Sequence, residues 1–256
     1  MGITGLLGRL EEVAQQVDII EECHGKCVGV DAFVWLHALA VAYARDVIEE
    51  KHYDRLVTAF MRRARRFIAA GIDLVFVFDG KPVPAKDATG ARRRERRAAA
   101  LVRAEGHGPE SEEHRKALQA AVSIGPELVA AVLHALRTEG HRYLVAPYEA
   151  DPQLRFLDRL GIIDYVLSVD SDMVALGVRR SLLKCNFREG TAMLYEEQAI
   201  FGDGEWEGGT LLSACQSAGA REHTMNVYCQ SLSGSKNACE IAFCFLAAIL
   251  FVACCS

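Results

Sequence analysis

Apolar residues recur along the first 200 positions with two periods, and the segments they mark alternate between strand and helix. "CVGVD" (27–31) is a short β-branched run that predicts a strand, with a helix from about Phe33. Over 54–70, Leu56, Phe60, Ala64, Phe67 and Ile68 share one helical face, while Arg62, Arg63, Arg65 and Arg66 fall elsewhere. Gly71 ends that helix, and "DLVFVFD" (73–79) predicts a buried strand. Pro126 and Gly140 bracket a helix in "PELVAAVLHALRTEG" (126–140). "YLVAPYEAD" (143–151) passes from a strand into a helix with Pro152 in its first turn, and "YVLSVD" (165–170) predicts the next strand. Strands alternating with helices imply an α/β fold, with a mostly parallel central sheet and helices on both faces.

Each of these strands is followed by acid. Asp31 closes the first and Asp79 the second; Glu149 and Asp151 follow the third, and Asp170 and Asp172 the fourth. In an open parallel sheet, ligands sit outside the carboxyl ends of the strands, so six carboxylates would converge on one crevice. Any one of them alone reads as a helix cap or a turn residue. All six together repel one another unless a counter-charge is present, since close like charges raise carboxyl pKa values. Hard oxygen donors suit one or two Mg²⁺ ions, or Mn²⁺.

Charge adds a second feature. The net charge is −5, yet residues 81–104 carry eight basic residues against two acids, a +6 strip that leaves −11 elsewhere. Such a strip can dock a polyanion locally. Arg92, Arg93, Arg94, Arg96 and Arg97 lie in "RRRERRAAALVRA", which predicts a helix with arginines on more than one face; the plainer alternative is a solvated charged surface. Lys86 stands seven residues past Asp79. Acids that bind Mg²⁺ beside a basic strip point to hydrolysis of phosphate esters, in which paired ions activate water and stabilise the leaving oxygen. The nine cysteines, six of them after residue 200, lack zinc-finger spacing, and reduced thiols are expected, including at Cys23-His24-x-x-Cys27. The N-terminus carries no signal sequence, and Leu6 spoils a myristoylation motif.

"MGITGLL", "GVDAFVWLH" (29–37), "VFVFDGKPVPAK" (75–86), "RRRERR" (92–97), "LVAPYEADPQL" (144–154) and "SVDSDMVALG" (168–177) occur in order and at fitting spacings. Over residues 1–200 the chain resembles the XPG-type family of structure-specific 5′ nucleases, and its exonuclease members more than its flap endonucleases. The resemblance implies a PIN-like nuclease core with a helical arch over about 86–125. It implies Asp31, Asp79, Glu149, Asp151, Asp170 and Asp172 as metal ligands, and Lys86 and Arg93 as the pair acting on the scissile phosphate. It places His37 against DNA near the cut, and lets Gly2 and Gly5 bring the N-terminal backbone close to substrate. It further implies Mg²⁺-dependent 5′→3′ cleavage of double-stranded DNA at 5′ ends, nicks or flaps in repair and replication, in the nucleus, with repair or replication proteins as possible partners. The expected divisions are a nuclease region over 1–99, an arch or linker over 100–125, a second nuclease region over 126–200 and a divergent tail over 201–256.

The tail departs from the family. "SLSG" (231–234) approaches the family's Gly-Cys-Asp-Tyr motif, but Ser235-Lys236 follows, and a lysine stands where a seventh acid is expected. The helix-hairpin-helix segment is replaced by "IAFCFLAAILFVACC" (241–255), fifteen apolar residues, short of the roughly 20 that span a bilayer. No membrane association is expected; a non-native end is favoured over a buried helix or a tail anchor. Three alternatives remain open. One is a nuclease remnant that binds DNA without cutting it. Another is a haloacid-dehalogenase-type phosphatase, whose Asp-x-Asp motif "DSDMV" would match but which normally opens its domain. A small RNase of the same general fold is the third, and the arginine strip speaks against it.

Overall fold

The computed structural model describes residues 5–81 and 87–201. The chain begins with α1 (Leu6–Arg9), β1 (Gln15–Asp18) and α2 (Ile19–Cys23). It continues through β2 (Cys27–Asp31), α3 (Ala32–Ala42), one π-helical turn at Asp46–Glu50, α4 (Asp54–Ala69) and β3 (Asp73–Phe78). The arginine strip lies on α5 (Asp87–Glu105), followed by α6 (Glu112–Ala121), α7 (Pro126–Thr138), β4 (Arg142–Val145) and α8 (Ala150–Arg159). Then come β5 (Tyr165–Leu167), α9 (Asp172–Ala175), β6 (Arg180–Asn186), β7 (Thr191–Glu196) and α10 (Glu197–Phe201). These elements fall into two compact units, residues 31–150 and the segments on either side of them.

The 31–150 unit is built on an aromatic core. Trp35 of α3 is fully buried and packs against Phe60 and Phe67 of α4 and Phe76 of β3, with ring centroids 5.4–5.8 Å apart. The α4 stripe predicted from spacing buries Leu56, Phe60, Ala64 and Phe67. Ile68 does not join them; it lies at the edge of that stripe, one residue before the helix ends, and is 37% exposed. β3 and β4 pair in parallel from Val75↔Arg142 to Phe78↔Val145. α7 starts on Pro126, and the chain leaves it through Gly140 at φ +72°, where a left-handed residue lets the chain turn away.

In the other unit, β7 lies antiparallel between β1 and β6, while β5 runs parallel to both β6 and β2. Gly29 of β2 lets α8 and the following turn pack closely, since a Cβ there would come within 2.8 Å of Leu154 and 2.5 Å of Ile163. Three of the five described pairings across the chain are parallel, so the α/β class with a mostly parallel sheet and interspersed helices is present. β1, β6 and β7 were not expected from sequence. β5 stops at Leu167, so Asp170 lies in the turn beyond it and not in the strand. Among the described residues, no single helix is long and apolar enough to cross a membrane. Among the described residues, Cys23, Cys27 and Cys185 form no disulfide, and burial pushes the Cys23 thiol up to about 12.

Candidate active site

Within the 31–150 unit, Asp31 is both the last residue of β2 and the cap of α3. Its Oδ1 accepts the Phe33 N–H at 3.0 Å, and the residue is buried. Capping and ligation are therefore not exclusive at this position, because a carboxylate has further lone pairs. Asp79 follows β3 directly and is exposed; its Oδ1 accepts the Ala150 N–H at 2.7 Å. Half-buried Glu149 immediately precedes that donor.

The backbone holds these two acids' segments side by side. Ala146 N–H donates to Phe78 O at 2.8 Å, Gly80 N–H to Tyr148 O at 2.5 Å and Lys81 N–H to Pro147 O at 3.1 Å. A Cβ on residue 80 would stand 1.9 Å from the Ala146 carbonyl oxygen, so only glycine permits this approach. Gly80 was not singled out from sequence, although an Asp-Gly pair ending a strand is a recognised turn signal.

In the other unit, Asp151 sits half-buried in the first turn of α8. Asp170 and Asp172 lie on the tight turn after β5, where Asp170 Oδ1 accepts the Asp172 N–H at 3.1 Å. Asp170 N–H donates to the buried Ser168 hydroxyl at 3.2 Å, and Asp172 opens α9. The turn function of this Asp-x-Asp sequence is thus real, and it leaves both residues half-buried. Among the described residues, no three His, Cys, Asp or Glu side chains are grouped as a metal site.

The arginine strip is helical, as its sequence predicts. Arg92, Arg93, Arg94 and Arg96 are exposed, and half-buried Arg97 donates to the Ser123 hydroxyl at 3.0 Å. His37 is on α3. Loss of water around its ring lowers its pKa from the ordinary histidine value, and the Arg97 guanidinium lowers it further. The structure thereby brings His37 within electrostatic reach of Arg97. Gly5 has φ +80° with open space around it. Gly2, Lys86 and Lys236 lie outside the described residues, as does the tail beyond 201.

Comparison with known proteins follows the same segments. The XPG N-terminal domain model matches residues 1–100, and the XPG I-region model matches residues 140–225. Exodeoxyribonuclease 1 of Schizosaccharomyces pombe is 36% identical over 186 residues, 72% of this chain and 32% of that protein. Exonuclease 1 of Xenopus laevis is 34% identical over 205 residues, 79% of this chain and 27% of that protein. The chain therefore spans about a third or less of the length of these relatives. The catalytic core of Rad2 in complex with DNA substrate superposes with a TM-score of 0.62 at 23% identity, covering 84% of this chain and 62% of that one. Flap endonuclease-1 from Methanococcus jannaschii gives 0.52 at 21% identity, covering 79% and 65%. At these identities the structural likeness speaks to fold alone.

Proposed function

This chain belongs to the XPG family of nucleases, and from that premise we propose that it is a metal-dependent 5′→3′ exonuclease or flap endonuclease acting on DNA phosphodiester bonds. The observation that carries the proposal is the repeated placement of acid at strand ends. Asp31 ends β2, Asp79 follows β3, Glu149 and Asp151 follow β4, and Asp170 and Asp172 follow β5. In a parallel sheet those ends are where ligands bind. The donor set fits a hard divalent cation, because all six side chains offer carboxylate oxygen and none offers sulfur or imidazole.

In this reading the six acids hold one or two Mg²⁺ or Mn²⁺ ions. When bound, such ions lower the pKa of a water and stabilise the leaving oxygen of an in-line displacement. Asp79 is fixed for this task by the Ala150 N–H that its carboxylate accepts, and Asp172 by its own backbone N–H, which donates to the Asp170 carboxylate. Arg93 and Lys86 bind the scissile phosphate and offset its developing charge. Arg92, Arg94 and Arg96 contact neighbouring phosphates, and Arg97 does so from its tether to Ser123. His37 stays neutral near pH 7, so it can bond a phosphate or sugar oxygen without adding charge. Gly2 brings the N-terminal backbone close to the DNA. The substrate is double-stranded DNA with 5′ ends, nicks or flaps, encountered in repair or replication in the nucleus, where other repair proteins are possible partners.

The Asp170-x-Asp172 sequence falls within the I-region match, which favours the nuclease over the phosphatase alternative. A nuclease remnant that only binds DNA is the second reading, and Lys236 in place of an acid favours it. The test is incubation of the full chain with duplex carrying a recessed 5′ end, in Mg²⁺ and in EDTA. Nucleotide release in Mg²⁺ alone supports the proposal. Binding without release in either condition supports the remnant, and release in EDTA refutes the metal requirement.

A further inference from the structure

The turn that carries Asp170 and Asp172 is gripped from behind by the C-terminal half of α8. α9 ends in a closed cap: Val178 N–H donates to Met173 O at 3.1 Å and Gly177 N–H to Val174 O at 3.0 Å, with Gly177 at φ +69°. Just past that cap, the Leu176 and Gly177 carbonyls accept from side chains of α8. Arg155 Nε donates to the Leu176 carbonyl, and Arg159 Nη2 donates to the Gly177 carbonyl at 2.6 Å. Arg159 also pairs with Glu197. Two residues further on, Arg179 donates from its backbone N–H (3.1 Å) and its Nε (3.0 Å) to the two oxygens of Asp158, which is fully buried. Arg155, Asp158 and Arg159 stand at i, i+3 and i+4 on one face of α8.

Arg155 connects to the acids through Leu176. Its guanidinium holds the Leu176 carbonyl, Leu176 N–H donates to Asp172 O at 2.7 Å, and Asp172 N–H donates to the Asp170 carboxylate. On its own helix, Arg155 is one turn from Asp151. Arg155 therefore links the turn that carries Asp170 and Asp172 to the helix that carries Asp151. The arrangement is costly for ordinary stability, because burial, with Arg159 beside it, pushes the Arg155 pKa down to about 10. A partly desolvated cation bonded to a backbone carbonyl is a poor stabiliser compared with an apolar side chain.

We propose that Arg155 is a positioning residue for divalent-ion binding, fixing Asp172 through Leu176 and fixing it relative to Asp151 through α8. This role rests on the acids being metal ligands. It is tested on the full chain by Mn²⁺ titration followed by electron paramagnetic resonance, with hydrogen exchange over 172–178. Arg155→Met, which keeps length and removes the donor, should weaken Mn²⁺ binding about tenfold or more and speed exchange at Leu176. Mn²⁺ binding equal to wild type overturns the positioning role. Should Arg155→Met fail to fold, the wild type alone decides: saturating Mn²⁺ must slow exchange at Leu176–Val178, and unchanged exchange overturns the coupling. Asp172→Ala separates the two levels. If it binds Mn²⁺ as the wild type does, the metal reading falls and the positioning role with it.

Discussion

Replacing Gly80 by Ala places a methyl group where the backbone of the β4–α8 turn now lies. The new Cβ would stand 1.9 Å from Ala146 O and 2.8 Å from Pro147 O. Both obstacles are backbone, so no side-chain rotation relieves them, and the turn must retreat by roughly 1 Å or more. Retreat stretches the Gly80–Tyr148 and Lys81–Pro147 hydrogen bonds and the Asp79–Ala150 bond. Each such bond contributes about 0.5–1.5 kcal/mol net, so the three together set a loss of roughly 2–4 kcal/mol. For a chain of this size, 1 kcal/mol corresponds to about 2–4 °C in Tm. Differential scanning calorimetry of wild type and Gly80→Ala should therefore show a fall of roughly 5–15 °C. Cleavage should fall even where the variant remains folded, because Asp79 and Glu149 sit on the two segments being forced apart. A Tm within about 1 °C of wild type with full cleavage would refute this account of why glycine is required there.

Gly29→Ala meets only side-chain tips, those of Ile163 and Leu154. Its cost should lie near the lower end of the 1–3 kcal/mol typical of overpacking, and chemical denaturation showing it worse than Gly80→Ala would contradict that. Buried His114 places Nδ1 2.9 Å from the Ala104 carbonyl and Nε2 2.8 Å from Glu49, an arrangement in which the imidazolium can donate to both. Those bonds, the Ala104 one foremost, raise its pKa against burial and the nearby Arg45. A raised folded pKa contributes stability that is complete below the unfolded value of about 6.5 and is lost as pH rises through the folded value. His37 runs the other way, its lowered pKa costing stability as pH falls, so the comparison must be between variants. His114→Gln should flatten the decline of Tm above pH 6.5, and an unchanged profile would rule out the imidazolium.

The sequence made some elements plain and hid others for physical reasons. The aromatic core was legible because Phe60, Ala64 and Phe67 repeat at helical spacing and β3 is apolar almost throughout. β6 and β7 were not, because they pair with each other antiparallel, carry mixed burial, and present polar residues such as Lys184 and Asn186. The acids were readable as a set because each ends or follows a strand. That Asp31 also caps α3 and that Asp170 also shapes a turn shows why no single acid could be assigned alone. The contacts of Arg155 and Arg159 were invisible, since both donate to backbone carbonyls, and carbonyls leave no mark in a sequence.

The central claim is that the acids at the strand ends perform the chemistry on DNA. It is tested most directly by comparing wild type with Asp172→Ala for DNA binding, by anisotropy, and for Mg²⁺-dependent cleavage in the same samples. The expected result is cleavage by the wild type alone, with binding by the variant retained or tightened because a negative charge has been removed. An Asp172→Ala chain that cuts at the wild-type rate would contradict the claim.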